Sequence, residues 1–182
     1  MKFPVLETQR LILTEIKETH LNDLFQLYKD PDVTRYYNLL PFVAVSEGLK
    51  FIEWYRERFM QGLGIRWGIV LKENKNEVLV GTLGFNNYTK NHRAVIGYDL
   101  QKQYWNQGYI TEGLRAIIRF GFDQLSVNRI EAEVMPGNIA SEKVLEKIGF
   151  CKEGILRQWM FWNETYYDMS MYALLHNDYV NL

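Results

Sequence analysis

Between residues 93 and 150 the apolar positions switch period repeatedly. They run from the twofold spacing of strands to the 3.6-residue spacing of helices and back. That alternation confines the chain to folds that lay helices on a sheet. RAVIGYDL (93–100) reads as a strand. Leu114, Ile117, Ile118, Gly121 and Leu125 mark an amphipathic helix opening at Thr111. Residues 129–135 form a strand, 139–148 a helix, and Gly149 its C-cap. Upstream, 65–71 and 78–85 flank the polar turn KENKNE as a hairpin. RLILTEI (10–16) is a first strand. Thr19 caps a helix carrying Leu21, Leu24, Phe25 and Tyr28, which Asp30-Pro31 ends. A second helix, 46–61, presents Leu49, Ile52, Tyr55 and Phe59 and stops at Gly62 and Gly64. Strands 155–161 and 165–174 turn at Asn163-Glu164. The order β-α-α-β-β-β-α-β-α-β-β predicts an α+β fold. Its mixed, mostly antiparallel sheet has about seven strands and about four flanking helices, with one local parallel pair from the 93–148 passage. No repeat or linker interrupts it, so one domain is expected over 1–182.

Composition narrows the function. The 21 Lys+Arg against 22 Asp+Glu leave a net charge of -1, which gives no bulk attraction to nucleic acid or anionic membrane. No Lys/Arg run forms a basic stripe, so no direct nucleic-acid binding is expected. One cysteine, Cys151, excludes an internal disulfide and fits a reducing compartment; it is expected as a buried small side chain. MKFPVLETQR turns polar too soon for a signal peptide, and no apolar run approaches a membrane span. A cytoplasmic protein is expected. His20, His92 and His176 have no ligand spacing, so no metal site is expected.

Two stretches carry chemistry. In GYDLQKQYWNQGYITEGL (97–114) a strand ends near Leu100 and a helix follows, so consecutive backbone N–H groups gather at a helix N-terminus. They have no intrahelical partner, the helix dipole adds positive charge, and Gly108 permits close approach: an anion such as a pyrophosphate fits. Read alone, Gly108 is also an ordinary loop glycine. RIEAEVMPGNIASEKVLEKIGF (129–150) repeats strand, turn and helix, with Asn138 and Ser141 at the helix start. Asn138 reads either as an N-cap or as a partner for an amide-bearing ligand; Ser141 can donate to an atom above the helix end.

Taken in order, W-N-Q-G-Y, helix, strand, and P-G-N-x-A-S-x-x-V-L-x-K-x-G-F resemble the GNAT N-acetyltransferase superfamily, and within it the RimJ/RimL-type ribosomal-protein branch. LETQRLILTEI…HLNDLFQLYKDPDVTRYY and EGILRQWMFWNETYYDMSMYALL extend the resemblance over nearly the whole chain. It implies the acyl-CoA N-acyltransferase fold and acetyl-CoA as cosubstrate. The loop Trp105, Asn106, Gln107, Gly108, Tyr109, Ile110 and Thr111 would hold the pyrophosphate through backbone amides. Asp99 and Leu100 would pair by backbone with pantetheine, Asn138 would take another pantetheine amide, and Ser141 would lie near the thioester. Trp105 and Ile110 depart from the superfamily's usual Gln/Arg and Gly/Ala. The acceptor implied is a ribosomal-protein N-terminus. A homodimer through the C-terminal strands is expected by analogy.

Transfer to an amine needs a neutral nucleophile and a stabilised leaving thiolate. At pH 7 an α-amine costs ~1 kcal/mol to neutralise and a lysine ~4.6 kcal/mol, so an enzyme without a strong base suits α-amines. Glu131 and Glu133 share one face of a strand, and Glu133 stands where some relatives acting on protein N-termini keep a catalytic glutamate. Such relatives keep a tyrosine acid where this chain has Leu145, which leaves Ser141 as the donor. A backbone amide near Leu100 would polarise the thioester carbonyl. His92 reads as a surface loop residue or an acceptor contact. Tyr36, Tyr37, Trp54, Tyr55, Trp159, Phe161 and Trp162 either line an acceptor groove or fill the core. Two alternatives stand beside this reading. One is a polyamine or aminoglycoside-like acceptor, which calls for a distinctly acidic pocket; the other is a non-catalytic acyl-CoA sensor.

Overall fold

The structure, a computed structural model, describes residues 2–73 and 77–181. Its sheet has eight strands: β1 (Leu6–Glu7), β2 (Leu11–Glu15), β3 (Ile65–Leu71), β4 (Leu79–Thr89), β5 (Arg93–Leu100), β6 (Arg129–Val134), β7 (Cys151–Trp162) and β8 (Thr165–Leu175). They lie in the order β1-β2-β3-β4-β5-β6-β8-β7. The helices are α1 (Leu21–Tyr28), α2 (Pro31–Thr34), α3 (Glu47–Met60), α4 (Tyr109–Gln124), α5 (Ile139–Lys147) and α6 (His176–Tyr179). The expected α+β class and mostly antiparallel sheet hold. The additional strand is the dipeptide β1, and the additional helices are the single turns α2 and α6, all too short to show a hydrophobic period.

Local chemistry explains most boundaries. Asn163 and Glu164 both take positive φ (46° and 60°), the geometry a two-residue hairpin turn needs to follow strand twist. Pro31 opens α2, and the Asp30 carboxylate accepts from the Asp32 amide at 2.9 Å. Thr19 does not cap α1. It sits in a short 3-10 turn, Glu18–His20, where the Lys17 amide donates to His20 Nδ1 at 3.0 Å. The KENKNE turn falls partly on 74–76, outside the described residues.

Two apolar layers cover the sheet. One face gathers Leu114, Ile117 and Ile118 of α4 and Leu145 of α5 against Trp67, Leu83 and Ile96. The other gathers Leu24 and Tyr28 of α1 and Ile52 and Tyr55 of α3 against Val70 and Leu79. The predicted parallel pair is β5 with β6, and it is short: residues 93–95 of β5 against 129–131 of β6. Beyond it the two strands part. On the other side of β5 a register shift between Phe85 and Asn87 leaves Asn86 as a bulge in β4.

Under the α1–α3 layer lies a charged pair. Arg66 and Asp99, on β3 and β5, are both buried and form a salt bridge. Arg66 Nε donates to Thr82 Oγ1 at 2.9 Å, and Tyr28 Oη donates to Asp99 Oδ2 at 3.2 Å. Burial pushes the Asp99 carboxyl above its ordinary range, while Arg66 and the donated hydrogen bonds pull against it. Removing one member strands the other without water. Arg66→Met is expected to destabilise the fold by about 3–5 kcal/mol. Adding Asp99→Leu should restore most of that loss. Urea unfolding checks it, and an Arg66→Met midpoint equal to wild type would show the pair is not isolated from solvent.

Candidate active site

The parting of β5 and β6 exposes backbone. Gln101 N–H donates to Val80 O at 2.9 Å, and the register sets Leu100 opposite Gly81. In an antiparallel ladder the bonded pairs alternate, so Asp99 spends its backbone groups on Thr82. Tyr98 and Leu100 turn theirs to the side that β6 has left. Asp99 is thus corrected from the expected backbone contact to a buried ion-pair member. Leu100 keeps its amide toward the gap, while its carbonyl accepts from Trp105 Nε1 at 2.7 Å.

At the C-terminal end of β5 the loop rises into α4. Asn106 (φ 59°) and Gly108 (φ 79°, the N-cap) are both left-handed, which turns the chain into the helix. The first intrahelical bond is Glu112 N–H to Gly108 O at 3.0 Å. The amides of Gln107, Gly108, Tyr109, Ile110 and Thr111 have no acceptor among the described residues. Arg10, on the loop before β2, holds this cradle. Its Nη1 donates to Gln107 O at 3.0 Å, its Nε pairs with Glu112 Oε2 at 2.6 Å, and its guanidinium lies 4.4 Å from the Tyr109 ring centre. Burial of Glu112 works against its charge, but donors from Thr8 and Arg10 outweigh it and hold the carboxyl below its ordinary range. The acid in the first turn of α4 is therefore neutralised by Arg10, and the helix end stays positive. Arg10 carries no local sequence signal, because it reaches the loop only through the tertiary fold.

At the end of β6 the chain enters α5. Asn138 is the N-cap, its Oδ1 accepting from Ser141 N–H at 3.3 Å. The Ser141 hydroxyl lies 2.6 Å from Tyr98 Oη on β5. Burial pushes the Tyr98 phenol up to about 12, with the Ser141 hydrogen bond pulling the other way. Asn138, Ser141 and Tyr98 line a cleft of about 410 Å³ that also takes in Tyr37, Asn86 and Glu133. Among the charged lining residues are Glu133 and Arg58, and Arg58 is spent on the bulge: its Nη2 donates to Asn86 O at 2.6 Å. Glu131, on the same strand face, is buried between Arg93 and Arg129, each at 2.6 Å. Of the two glutamates, only Glu133 reaches the cleft.

The family model for the acetyltransferase (GNAT) domain matches residues 10–151. The chain is a GNAT acetyltransferase. YoaA, an uncharacterized N-acetyltransferase of Bacillus subtilis (strain 168), is 37% identical over 174 residues, 95% of this chain and 97% of its own. The ribosomal-protein-serine acetyltransferase of Escherichia coli (strain K12) is 33% identical over 100 residues, 54% of this chain and 56% of its own. A solved structure of RimL, the ribosomal L7/L12 α-N-protein acetyltransferase in complex with coenzyme A, matches the fold. Its TM-score is 0.81 at 23% identity, over 94% of this chain and 98% of that one. As a GNAT enzyme the chain uses acetyl-CoA, and the free amides at α4 with the open edge of β5 suit its pyrophosphate and amide-bearing arm.

Other expectations resolve around this acetyltransferase site. Ile110 turns its side chain against the core, so its bulk leaves the cradle amides clear. Leu145 is wholly buried. Of the aromatics, Tyr36, Tyr37 and Trp54 line the cleft, Tyr55 is core, and Trp159 and Phe161 are exposed on β7. Of the seven, Tyr55 alone belongs to the buried core, and Trp159 and Phe161 are exposed because β7 is an edge strand of the sheet. Cys151 is exposed rather than buried, for the same reason. His20, His92 and His176 lie off the cleft. Among the described residues no group of three His, Cys, Asp or Glu could hold a metal, and no helix is long and apolar enough to cross a membrane. Gly108→Val forces a branched side chain into left-handed backbone and turns the cradle amides, so the Kd for coenzyme A should rise about tenfold. Calorimetry reads it; an unchanged Kd would remove this loop from pyrophosphate binding.

Proposed function

We propose that this acetyltransferase, acting as one domain over 1–182, acetylates the N-terminal α-amine of a ribosomal protein, with Glu133 as general base and Ser141 as donor to the departing sulfur. The charge of the cleft carries the reading. Its wall sets a lone carboxylate, Glu133, against Arg58, whereas a polyamine or aminoglycoside-like acceptor calls for an acidic cluster. Glu131, the nearest candidate for such a cluster, is held by Arg93 and Arg129. The ribosomal class is supported by the named activity of the Escherichia coli relative. A ribosomal acceptor would place the reaction in the cytoplasm.

The division of labour follows the faces of the sheet. Glu131 and Glu133 alternate with the core residues Ile130, Ala132 and Val134, so Glu133 opens to the face away from α4 and α5. The acceptor would attack from there as a neutral amine, and Glu133 would take the proton that its nitrogen sheds as the new bond forms. An α-amine reaches that neutral form for only ~1 kcal/mol at pH 7, so a single unpaired carboxylate suffices as base. Acetyl-CoA supplies the acyl group on a thiol whose pKa, like that of cysteine, needs only a weak donor. The Leu100 amide would polarise the carbonyl oxygen, and Ser141 would meet the sulfur.

A thiol-release assay with acetyl-CoA tests this against α-amine peptides copied from ribosomal N-termini, their N-blocked lysine counterparts, and spermidine. Turnover should be confined to the α-amine peptides, with kcat/KM levelling off above about pH 8 as that amine becomes neutral. Turnover on spermidine alone would overturn the acceptor. Glu133→Gln should lower kcat by about 10²–10⁴-fold while coenzyme A affinity holds. Wild-type kcat in that variant would remove Glu133 as base.

A further inference from the structure

Tyr98 stands outside every expectation drawn from the sequence, yet its phenol makes the closest polar contact of a residue placed in the chemistry. Resting on the reading of Ser141 as donor to sulfur, we propose that Tyr98 is a positioning residue. Its phenol donates to Ser141 Oγ, so that the serine proton is free to point at the leaving sulfur.

The geometry supports this direction. Tyr98 Oη lies 2.6 Å from Ser141 Oγ and 3.4 Å from the Ser141 carbonyl oxygen, so the hydroxyl is its main partner. The Ser141 amide is already held by Asn138 Oδ1, which fixes the serine at the mouth of α5 and leaves its hydroxyl as the remaining polar group. No other partner of that hydroxyl occurs among the described residues. A phenol is a stronger acid than an alkyl alcohol, so in a pair this short the tyrosine donates and the serine accepts. Burial reinforces the arrangement: pushed up to about 12, the phenol stays protonated across the working range. Serine accepting from tyrosine is polarised, and its own proton becomes the better donor. In the reaction the nitrogen–carbon bond forms and the carbon–sulfur bond breaks. The amine attacks in its neutral form, the proton its nitrogen sheds on bonding to carbon goes to Glu133, and the electron pair of the broken bond leaves on sulfur. Ser141 hydrogen-bonds that thiolate without surrendering its proton, and solvent protonates it on release. The pair forms because β5 and β6 part: Tyr98 extends over the α4–α5 face from one strand, and Ser141 reaches it from the helix that follows the other.

The test is a double-mutant cycle with Tyr98→Phe and Ser141→Ala, read by steady-state kinetics on an α-amine peptide and by calorimetry with coenzyme A. Tyr98→Phe keeps the ring and loses only the hydroxyl. It should lower kcat about tenfold with the coenzyme A Kd and melting temperature unchanged. Ser141→Ala should lower kcat further, and the double variant should match Ser141→Ala, because the phenol acts only through the serine. Wild-type kcat in Tyr98→Phe beside a slow Ser141→Ala would overturn this proposal and spare the role of Ser141. Full kcat in Ser141→Ala would overturn that earlier reading and this one with it. Losses that multiply in the double variant, or a Tyr98→Phe defect appearing as weakened coenzyme A binding, would make Tyr98 a packing residue.

Discussion

One parallel contact in an otherwise antiparallel sheet organises this molecule. Parallel neighbours cannot be joined by a hairpin; they need a crossover, and α4 provides it between β5 and β6. The crossover brings the N-terminus of α4 to the end of β5, and the next turn brings that of α5 to the end of β6. Two positive helix ends therefore flank the same gap. Because the contact lasts only three residues on each strand, backbone groups of Tyr98 and Leu100 face a gap instead of a neighbouring strand. Exposed strand edges pair with whatever presents complementary amides, which an amide-bearing arm can present.

The alternation of β5 then divides the site between two faces. Tyr98 goes to the α4–α5 side and meets Ser141; Asp99 goes to the α1–α3 side and meets Arg66. A buried pair of this kind is a poor source of net stability compared with apolar packing. Its effect here is positional. Arg66 Nη1 also donates to Asn86 Oδ1 at 3.2 Å, so the charged pair holds the side chain of the β4 bulge that lines the cleft. Arg58 holds the backbone of the same bulge. The rim of the cleft is thus fixed by Arg58, which lines it, and from beneath by Arg66 and Asp99, which do not.

Much of this was legible beforehand. Periodicity located β3, β5, α4 and β6 nearly residue for residue, since each packs one face on a shared core. The left-handed turn at Asn163-Glu164 and the cap at Asn138 declare themselves locally. The errors fall where burial depends on the neighbour. Cys151 looks like a core residue until β7 proves to be an edge, and Glu131 looks like the equal of Glu133 until Arg93 and Arg129 close over it. Asp99 was expected at the cofactor through its backbone, but the ladder phase set by Gln101 and Val80 points that backbone toward β4.

The sequence by itself determined the longer elements, the family and the positive helix end at Gly108, because hydrophobic period, turn stereochemistry and unpaired helix amides are properties of contiguous residues. Only the tertiary structure decided which charges are spent and which remain available. Arg10 and Glu112 meet across about a hundred residues of chain, as do Arg66 and Asp99 across about thirty. Tyr98 finds Ser141 from a strand that precedes the crossover helix. Hydrogen bonds and ion pairs act over a few ångströms of space, and no spacing along the chain reports that distance until the sheet has assembled.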